Sequence, residues 1–380
     1  MTARLARSLL RARGGGTAGL LGLLVLALVP PLLSDFQLSL VAKFMVFAIV
    51  GVSLDLIWGY AGILSLGHGV FFGLGAYAFG MHLKLEAAGQ KLPDFMAWSG
   101  LTALPWFWGP LADPAAALLL VFFAPMAVAA LLSYLAFRSG IYGVYFAIVT
   151  QALALILSIL LVGQQPYTAG TNGLTNFSTI FGLPIIDPDV QLALYYAALG
   201  CLAGAFGLCF LLTRSRFGLL LVALRDDPRR VRALGYDPVA INTLVFTISA
   251  GLAGMAGALF APIVGIVAPA MVGVVPSIEM VIWVAVGGRA TLAGPIVGAI
   301  LVNGAKSGLS ERFPDYWLYF LGALFIGSVL LFPNGVAGFV RSGVARLLGP
   351  SAPPARQVAP APQPAPTVPE GQPVPGREAV

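Results

Sequence analysis

The sequence predicts an all-α fold, a polytopic bundle of transmembrane helices. Hydrophobic residues make up 59% of the 380 residues and charged residues only 9%, whereas soluble domains carry roughly a quarter charged residues. Apolar runs of about 20 residues recur along the chain, which is the length of a membrane-spanning helix. The alternating segments of ~10 residues that would indicate a transmembrane β-barrel are absent from the sequence.

We expect about ten membrane spans. They are placed near residues 17–34, 38–58, 62–83, 116–137, 141–162, 191–212, 243–263, 270–287, 291–308 and 317–333. Nine spans are the alternative, with 270–308 as one broken helix. The string GGRATLAGP at 287–295 favours ten, because an arginine among glycine and proline is typical of a tight turn between helices.

Ten spans put both termini in the cytoplasm, and the charge distribution agrees with this orientation. Basic residues collect on the cytoplasmic side of membrane proteins. With ten spans, Arg138, the arginine cluster at 214–232 and Arg289 fall on that side, and so do Arg341 and Arg346 after the last span.

The chain divides into three predicted regions. Residues 1–16 form a basic cytoplasmic N-terminus. The apolar run that follows ends at Pro30-Pro31 without an A-x-A site, so we expect an uncleaved first helix and not a signal peptide. Residues 17–340 form the transmembrane domain. Residues 341–380 are rich in proline and alanine, which predicts a disordered tail that leans towards polyproline II.

Charge, cysteine content and motifs exclude several classes of function. The net charge of +6 is concentrated in loops, which indicates membrane topology and not nucleic-acid binding. Cys201 and Cys209 lie about 12 Å apart along one predicted helix, too far for a disulfide. They have no histidine neighbours that would complete a metal site. A phosphate-binding loop, a metalloprotease motif and a nucleophile elbow are all absent from the sequence, so we expect no enzyme and no cofactor.

The predicted cytoplasmic loop 213–242 holds the longest polar interval between apolar spans. The string DDP at 226–228 is typical of a helix start, and Gly235 of a helix end. We therefore expect a short helix with outward arginines and with apolar anchors at Val231 and Leu234. Such a helix suits a groove on a partner protein, and a basic loop lying on anionic lipid is the alternative. The candidate coupling residues are Arg225, Asp226, Asp227, Arg229, Arg230, Arg232, Leu234 and Gly235.

Ionisable groups inside predicted spans are candidates for a translocation path, because such groups are costly in lipid. Asp55 lies near the cytoplasmic end of the second span, where capping a helix is the alternative. His68 lies among glycines, where a hydrogen-bonded structural histidine is the alternative. Glu279 lies in the middle of the eighth span, and its carboxylate requires a partner or a water-filled space.

A glycine-rich segment is a further candidate for the translocation path. Residues 59–80, GYAGILSLGHGVFFGLGAYAFG, interrupt an apolar run with glycines. They indicate either backbone that lines a path or a tightly packed helix pair.

Two external loops are long. The loop 84–115 carries aromatic residues that suit an interfacial belt, and the polar loop 163–190 suits a lid, a receptor contact or a plain connection.

The charged loop also resembles a known element. Residues 214–237, RSRFGLLLVALRDDPRRVRALGYD, resemble the coupling-helix loop of permease subunits in ABC importers of the branched-chain amino acid type. Residues 53–81, 246–260 and 286–300 resemble the same family, and together the matching stretches span most of residues 40–340.

A narrower resemblance concerns the subgroup. Residues 104–108, 277–295 and 303–326 resemble the second permease subunit of urea ABC importers. Asp55 stands where branched-chain amino acid permeases tend to carry asparagine, which points the same way. Ala290 departs from this pattern, because a glycine is expected there.

The resemblance implies a permease subunit of an ATP-driven importer in the bacterial inner membrane. Its implied partners are a second, homologous permease that forms a heterodimer, two cytoplasmic ABC ATPases that bind the ATP, and a periplasmic substrate-binding protein. Residues 226–238 would dock in an ATPase groove. The implied substrate is urea or a short amide, with Thr171, Asn172 and Glu279 as hydrogen-bonding groups. A branched-chain amino acid permease is the alternative, and a passive urea channel, which needs no docking loop, is a third possibility.

Overall fold

The computed structural model describes residues 16, 19–89, 91–313, 316, 319–320, 322–324, 326–327 and 335–338. Within this part of the chain the structure is mostly helical and its only strands are four of two residues each, which confirms the predicted all-α membrane bundle. Nearly all of the predicted N-terminal region 1–16, most of the predicted span 317–333 and the whole tail 341–380 lie outside the described residues.

The helices are labelled in chain order. They are α1 (Gly19–Leu28), α2 (Asp35–Asp55), α3 (His68–Ala88), α4 (Asp94–Trp98), α5 (Pro114–Arg138), α6 (Val144–Gly163), α7 (Gln165–Thr168), α8 (Pro188–Arg214), α9 (Arg216–Asp226), α10 (Pro228–Ala233), α11 (Pro238–Val264), α12 (Val274–Gly287) and α13 (Ala293–Arg312). A π-helical segment, Leu56–Ala61, continues α2 directly. The strands are β1 (Leu174–Thr175), β2 (Thr179–Ile180), β3 (Leu183–Pro184) and β4 (Ile266–Val267), and β1 pairs with β4 and β2 with β3, both antiparallel.

Among the described residues, five helices are long and apolar enough to cross a membrane: α2 with its π-helical extension, α5, α6, α8 and α11. A helix also lies at each of the other predicted spans from 17–34 to 291–308. The helix α12 differs from its predicted span 270–287, because it has only 14 residues, about 20 Å of helix against a hydrocarbon core of about 30 Å. Before α12, the chain leaves the helical conformation at Gly265, and Ile266–Val267 pair as β4 with β1. This pairing uses backbone N–H and C=O groups that a longer helix would need.

The helices α12 and α13 form an antiparallel hairpin, as the preferred ten-span prediction expects. Gly287 lies against the backbone of Gly294, and Gly298 lies against the backbone of Trp283, so the two helices approach to backbone contact. The turn between them spans 288–292, and Gly288 has a φ of +113°, a conformation that favours glycine.

The core forms around α11, which packs against α2, α3 and α5, while α2 also contacts α8 and α13. Small residues set the distance between these helices. The α-carbon of Gly257 faces the carbonyl of Phe72, and that of Gly75 faces the carbonyl of Gly254. Gly200 on α8 has nothing within 4 Å of its Cβ position, so it sets no contact within the described chain.

Contacts between loops define two ends of the bundle. At one end, the Glu86 carboxylate accepts hydrogen bonds from the amides of Phe181 and Gly182, and the Trp108 indole donates to the carbonyl of Tyr167. The long loops predicted to be external therefore pack on each other. The helix α3 separates this end from the helix breaks after α2, since its 21 residues extend about 30 Å. The other end holds the charged loop and is described next.

Candidate functional site

The predicted short helix in the charged loop is present as α10. The Asp227 carboxylate accepts hydrogen bonds from the amides of Arg229 at 3.1 Å and Arg230 at 3.3 Å, so it caps the helix start. Pro228 occupies the first turn. The chain leaves the helix at Gly235, whose φ of +88° lies in the left-handed region that favours glycine. The sequence did not reveal the preceding helix α9.

The surface of α10 is basic, with one apolar group. Arg229, Arg230 and Arg232 are exposed, and the Arg230 Nε lies 2.8 Å from the Asp227 carboxylate. Leu234 is 75% exposed, whereas Val231 is only 2% exposed. Val231 is therefore not available as an apolar anchor for a partner, because it packs against its own chain, and Leu234 is the expected anchor that lies on the surface.

Arg225 connects this loop to the transmembrane helices. One guanidinium nitrogen donates a hydrogen bond of 2.7 Å to the carbonyl of Gly59, in the π-helical segment that follows α2. Its Nε lies 3.4 Å from the carboxylate of Asp226, which is exposed. Arg225 therefore holds α9 against the end of α2.

Asp55 lies at the same end and holds the turn between α12 and α13. It is wholly buried, and its two carboxylate oxygens accept hydrogen bonds from the amides of Ala290 at 2.6 Å and Leu292 at 3.1 Å. Both of those residues have left-handed backbone, with φ of +57° and +55°. Asp55 therefore caps a turn with strained backbone. This role is closer to the capping alternative than to lining a path.

A cation–π contact strengthens this junction. The Arg289 guanidinium lies 4.8 Å from the ring of Trp58, the residue next to Gly59. The end of α2, the loop helix α9 and the turn 288–292 are thus linked by charge-assisted and backbone hydrogen bonds.

His68 takes part in a buried hydrogen-bond chain. The Ser249 hydroxyl donates to the carbonyl of Ser53 at 2.6 Å, so the His68 Nε2, 3.1 Å from the same hydroxyl, must donate to it. The ring also packs edge-on against Phe71 and Phe246. The histidine joins α2, α3 and α11, as expected of a hydrogen-bonded structural histidine.

Glu279 has a partner that the sequence analysis did not single out. The Lys306 ammonium on α13 lies 2.9 Å from both carboxylate oxygens. The antiparallel hairpin brings the two residues together, although they are 27 positions apart in sequence. A signal was available, because two ionisable residues fall within adjacent predicted spans joined by a tight turn.

The structure does not gather the candidate path residues in one place. Thr171 and Asn172 are exposed in a short turn of the loop 163–190. Asn172 lines a cavity of about 210 Å³, together with the ion pair of Lys84 and Asp94 at 3.5 Å. Asp55, His68 and Glu279 each contact different residues of the bundle.

The glycine-rich segment 59–80 is tightly packed in this conformation. Each of its seven glycines has another residue within contact distance of its Cβ position. These are Gly59, Gly62, Gly67, Gly69, Gly73, Gly75 and Gly80. The unwound stretch between the π-helical segment and α3 is thus mostly packed against other parts of the chain, while Gly62 at its start is exposed.

A multi-pass helical bundle with a charged surface helix tied to its long apolar helices is compatible with a membrane transport permease. The chain belongs to the family described as branched-chain amino acid transport system, permease component, which matches residues 36–329. This confirms the predicted permease class.

The curated relatives agree with the family. The chain is 30% identical to the high-affinity branched-chain amino acid transport system permease protein LivM of Escherichia coli K12, over 85% of this chain and 75% of that protein. It is 29% identical to the LivM of Salmonella typhimurium over the same shares. An autoinducer 2 import system permease protein, LsrC of Salmonella typhi, is 28% identical over 40% of this chain and 45% of that protein. No solved structure shows a significant match, and the comparisons show no urea-specific resemblance.

Proposed function

We propose that this chain is a non-catalytic permease subunit of an ATP-driven ABC importer and that it translocates branched-chain amino acids across the bacterial inner membrane. The family match over residues 36–329 carries the proposal. The LivM relatives, which are named for branched-chain amino acid transport, support this substrate. The comparisons therefore favour it over urea, the substrate that the motif resemblance implies.

The basic helix α10 is the proposed docking element for the motor. Its exposed arginines and Leu234 form a short amphipathic surface that suits insertion into a groove on a partner. In this proposal the partner is one of two cytoplasmic ATPase subunits that bind the ATP. A second, homologous permease and a periplasmic substrate-binding protein complete the importer. Both termini and α10 then lie on the cytoplasmic side.

The contacts at the coupling end suggest how ATP-driven closure reaches the membrane. Movement of α10 displaces α9, and Arg225 transmits the displacement to Gly59 through its hydrogen bond. Asp55 links the end of α2 to the turn 288–292. The proposed consequence is that α2, α12 and α13 rock together between inward-open and outward-open arrangements.

The test is uptake of labelled leucine and labelled urea by cells that lack only this gene. We expect leucine uptake to fall about tenfold or more, which is the loss expected when one essential route is removed. Urea uptake should stay unchanged, and the intact gene supplied on a plasmid should restore leucine uptake.

The opposite result would separate the alternatives. Loss of urea uptake with normal leucine uptake would reject the amino acid proposal and support the urea permease. Urea entry that continues after ATP is depleted, and that still requires this chain, would support a passive channel.

A further inference from the structure

A cluster of charged groups lies within the helical bundle on α2, α12 and α13. The Lys306 ammonium contacts both carboxylate oxygens of Glu279 at 2.9 Å. Lys43 of α2 lies close enough to interact electrostatically with both residues. When both lysines are protonated, two ammonium groups against one carboxylate leave the cluster with one positive charge in excess.

Helix register explains why these groups meet. Lys43 and Phe47 are one turn apart on α2, and Glu279 and Trp283 are one turn apart on α12. The rings of Phe47 and Trp283 lie 4.8 Å apart, so the Lys43 face of α2 lies against the Glu279 face of α12.

Lys43 has unused capacity for an anion. Its ammonium lies 5.8 Å from the centroid of the Phe47 ring. It forms no ion pair with any carboxylate in the described part of the chain. A cation–π contact leaves the donors of an ammonium free to bind an anion.

This face of the bundle is unsuited to lipid. Lys43 is the ninth residue of α2, about 12 Å along its axis, and so lies well inside a 27-residue span. The Lys306 side chain is 33% exposed. Its neighbours Gly304, Ser307 and Gly308 are exposed as well, and they are small or polar. Because charged groups facing acyl chains are costly, water or another subunit covers this face in the membrane.

A second, independent observation lies beside the charges. The Trp283 side chain is 2% exposed, and its indole N–H has no hydrogen-bond partner among the described residues. Buried N–H groups are rarely left unpaired, and an indole nitrogen only donates, so it requires an acceptor.

We propose that Lys43, supported by the Lys306–Glu279 pair, binds the carboxylate of an amino acid substrate on the translocation path within the membrane. The inference rests on the proposed function and names the site that recognises the substrate. Lys43 supplies the ammonium, the Trp283 N–H donates a hydrogen bond, and Phe47 offers apolar surface to an aliphatic side chain. Lys306 neutralises Glu279, so the incoming carboxylate meets no unpaired negative charge.

The test introduces Lys43→Cys into a chain that already carries Cys201→Ala and Cys209→Ala, assembled with its partner subunits in proteoliposomes. Leucine uptake should fall about tenfold, because a charged partner is removed from a desolvated pair. Aminoethyl methanethiosulfonate rebuilds an ammonium-tipped side chain at this cysteine and should restore about half of the uptake or more. The sulfonatoethyl reagent, which adds a negative charge, should restore none.

Lys91→Cys in the same background is the matched control, because Lys91 is an exposed lysine of the outer loop. Its uptake should be unaffected by the substitution and by either reagent. If the cysteine at 43 reacts only in this chain without its second permease, a subunit interface covers the site and the inference fails. If it reacts in the assembled importer without recovery of uptake, or if Lys43→Cys transports normally, the carboxylate role is rejected.

The parent chain without either cysteine distinguishes failure of this inference from failure of the proposed function. If the parent imports leucine and only the Lys43→Cys series departs from expectation, the proposed function stands and the site is rejected. If the parent complex imports urea and no leucine, the proposed function fails, and a site for an amino acid carboxylate fails with it.

Discussion

Single residues determine how closely the helices approach, and Gly257 is among the tightest examples. A Cβ atom at this position would collide with the carbonyl oxygen of Phe72 and would lie 2.8 Å from the amide nitrogen of Ala76. These are backbone atoms, so they cannot move aside as a side chain can. The packing of α3 on α11 therefore depends on the missing side chain.

We expect Gly257→Ala to destabilise the protein by about 1–3 kcal/mol, the usual cost of overpacking a filled core. The thermal unfolding midpoint in detergent, followed by tryptophan fluorescence, measures the effect. Gly200→Ala on α8 is the control, because nothing lies within 4 Å of its Cβ position. It should leave the midpoint unchanged or raise it slightly, since alanine favours a helix. Equal midpoints for the two variants would contradict the packing argument.

At the scale of elements, the loop helix α10 has one side packed against its own chain and an opposite side that is exposed. Val231 is buried against the chain, while the arginines and Leu234 are exposed. The Asp227 cap and the glycine that ends the helix fix its length at six residues. A rigid, short helix of this kind loses little entropy on docking, which favours a tight contact over a small area.

We expect the double variant Arg229→Ala, Arg232→Ala to lower ATP-dependent leucine uptake about tenfold or more, because arginines in docking surfaces are frequent hot spots. The amount of chain in the membrane should stay the same. Co-purification of the ATPase subunits with this chain reports docking directly.

The control is Arg138→Ala at the end of α5, an exposed arginine that lies outside α10 and contacts Tyr134. It should keep both uptake and co-purification. A double variant that still retains the ATPases would show that α10 is not the dock.

At the scale of the whole molecule, the two ends of the bundle differ in chemistry. One end gathers α9, α10, Asp55 and the turn 288–292, and the other gathers the loops 84–115 and 163–190. The positive-inside rule predicts that the first end faces the cytoplasm. Docking of α10 on a cytoplasmic motor requires this orientation.

We expect a membrane-impermeant maleimide to label Thr171→Cys in intact cells whose outer membrane has been permeabilised. Leu234→Cys should react only after the inner membrane is opened. Both substitutions are made at exposed positions of the chain without native cysteines. Labelling in the reverse pattern would invert the topology and remove the proposed dock from the cytoplasm.

The sequence by itself determined the helical membrane class, because too few charges are present to cover a soluble surface. It also determined the short helix at α10, because capping by an aspartate, a proline and a glycine is a local effect of neighbouring residues. The hairpin turn at 288–292 was predictable for the same reason.

Only the tertiary structure decided what the buried polar groups do. Asp55 acts on a turn more than 230 positions away, Arg225 on a carbonyl 166 positions away, and Glu279 on a lysine 27 positions away. Helix spacing predicts neighbours within one helix, but it does not predict which faces of separate helices pack together. For that reason the sequence could single out Glu279, while the pairing with Lys306 and the nearby Lys43 emerged only from the packed bundle.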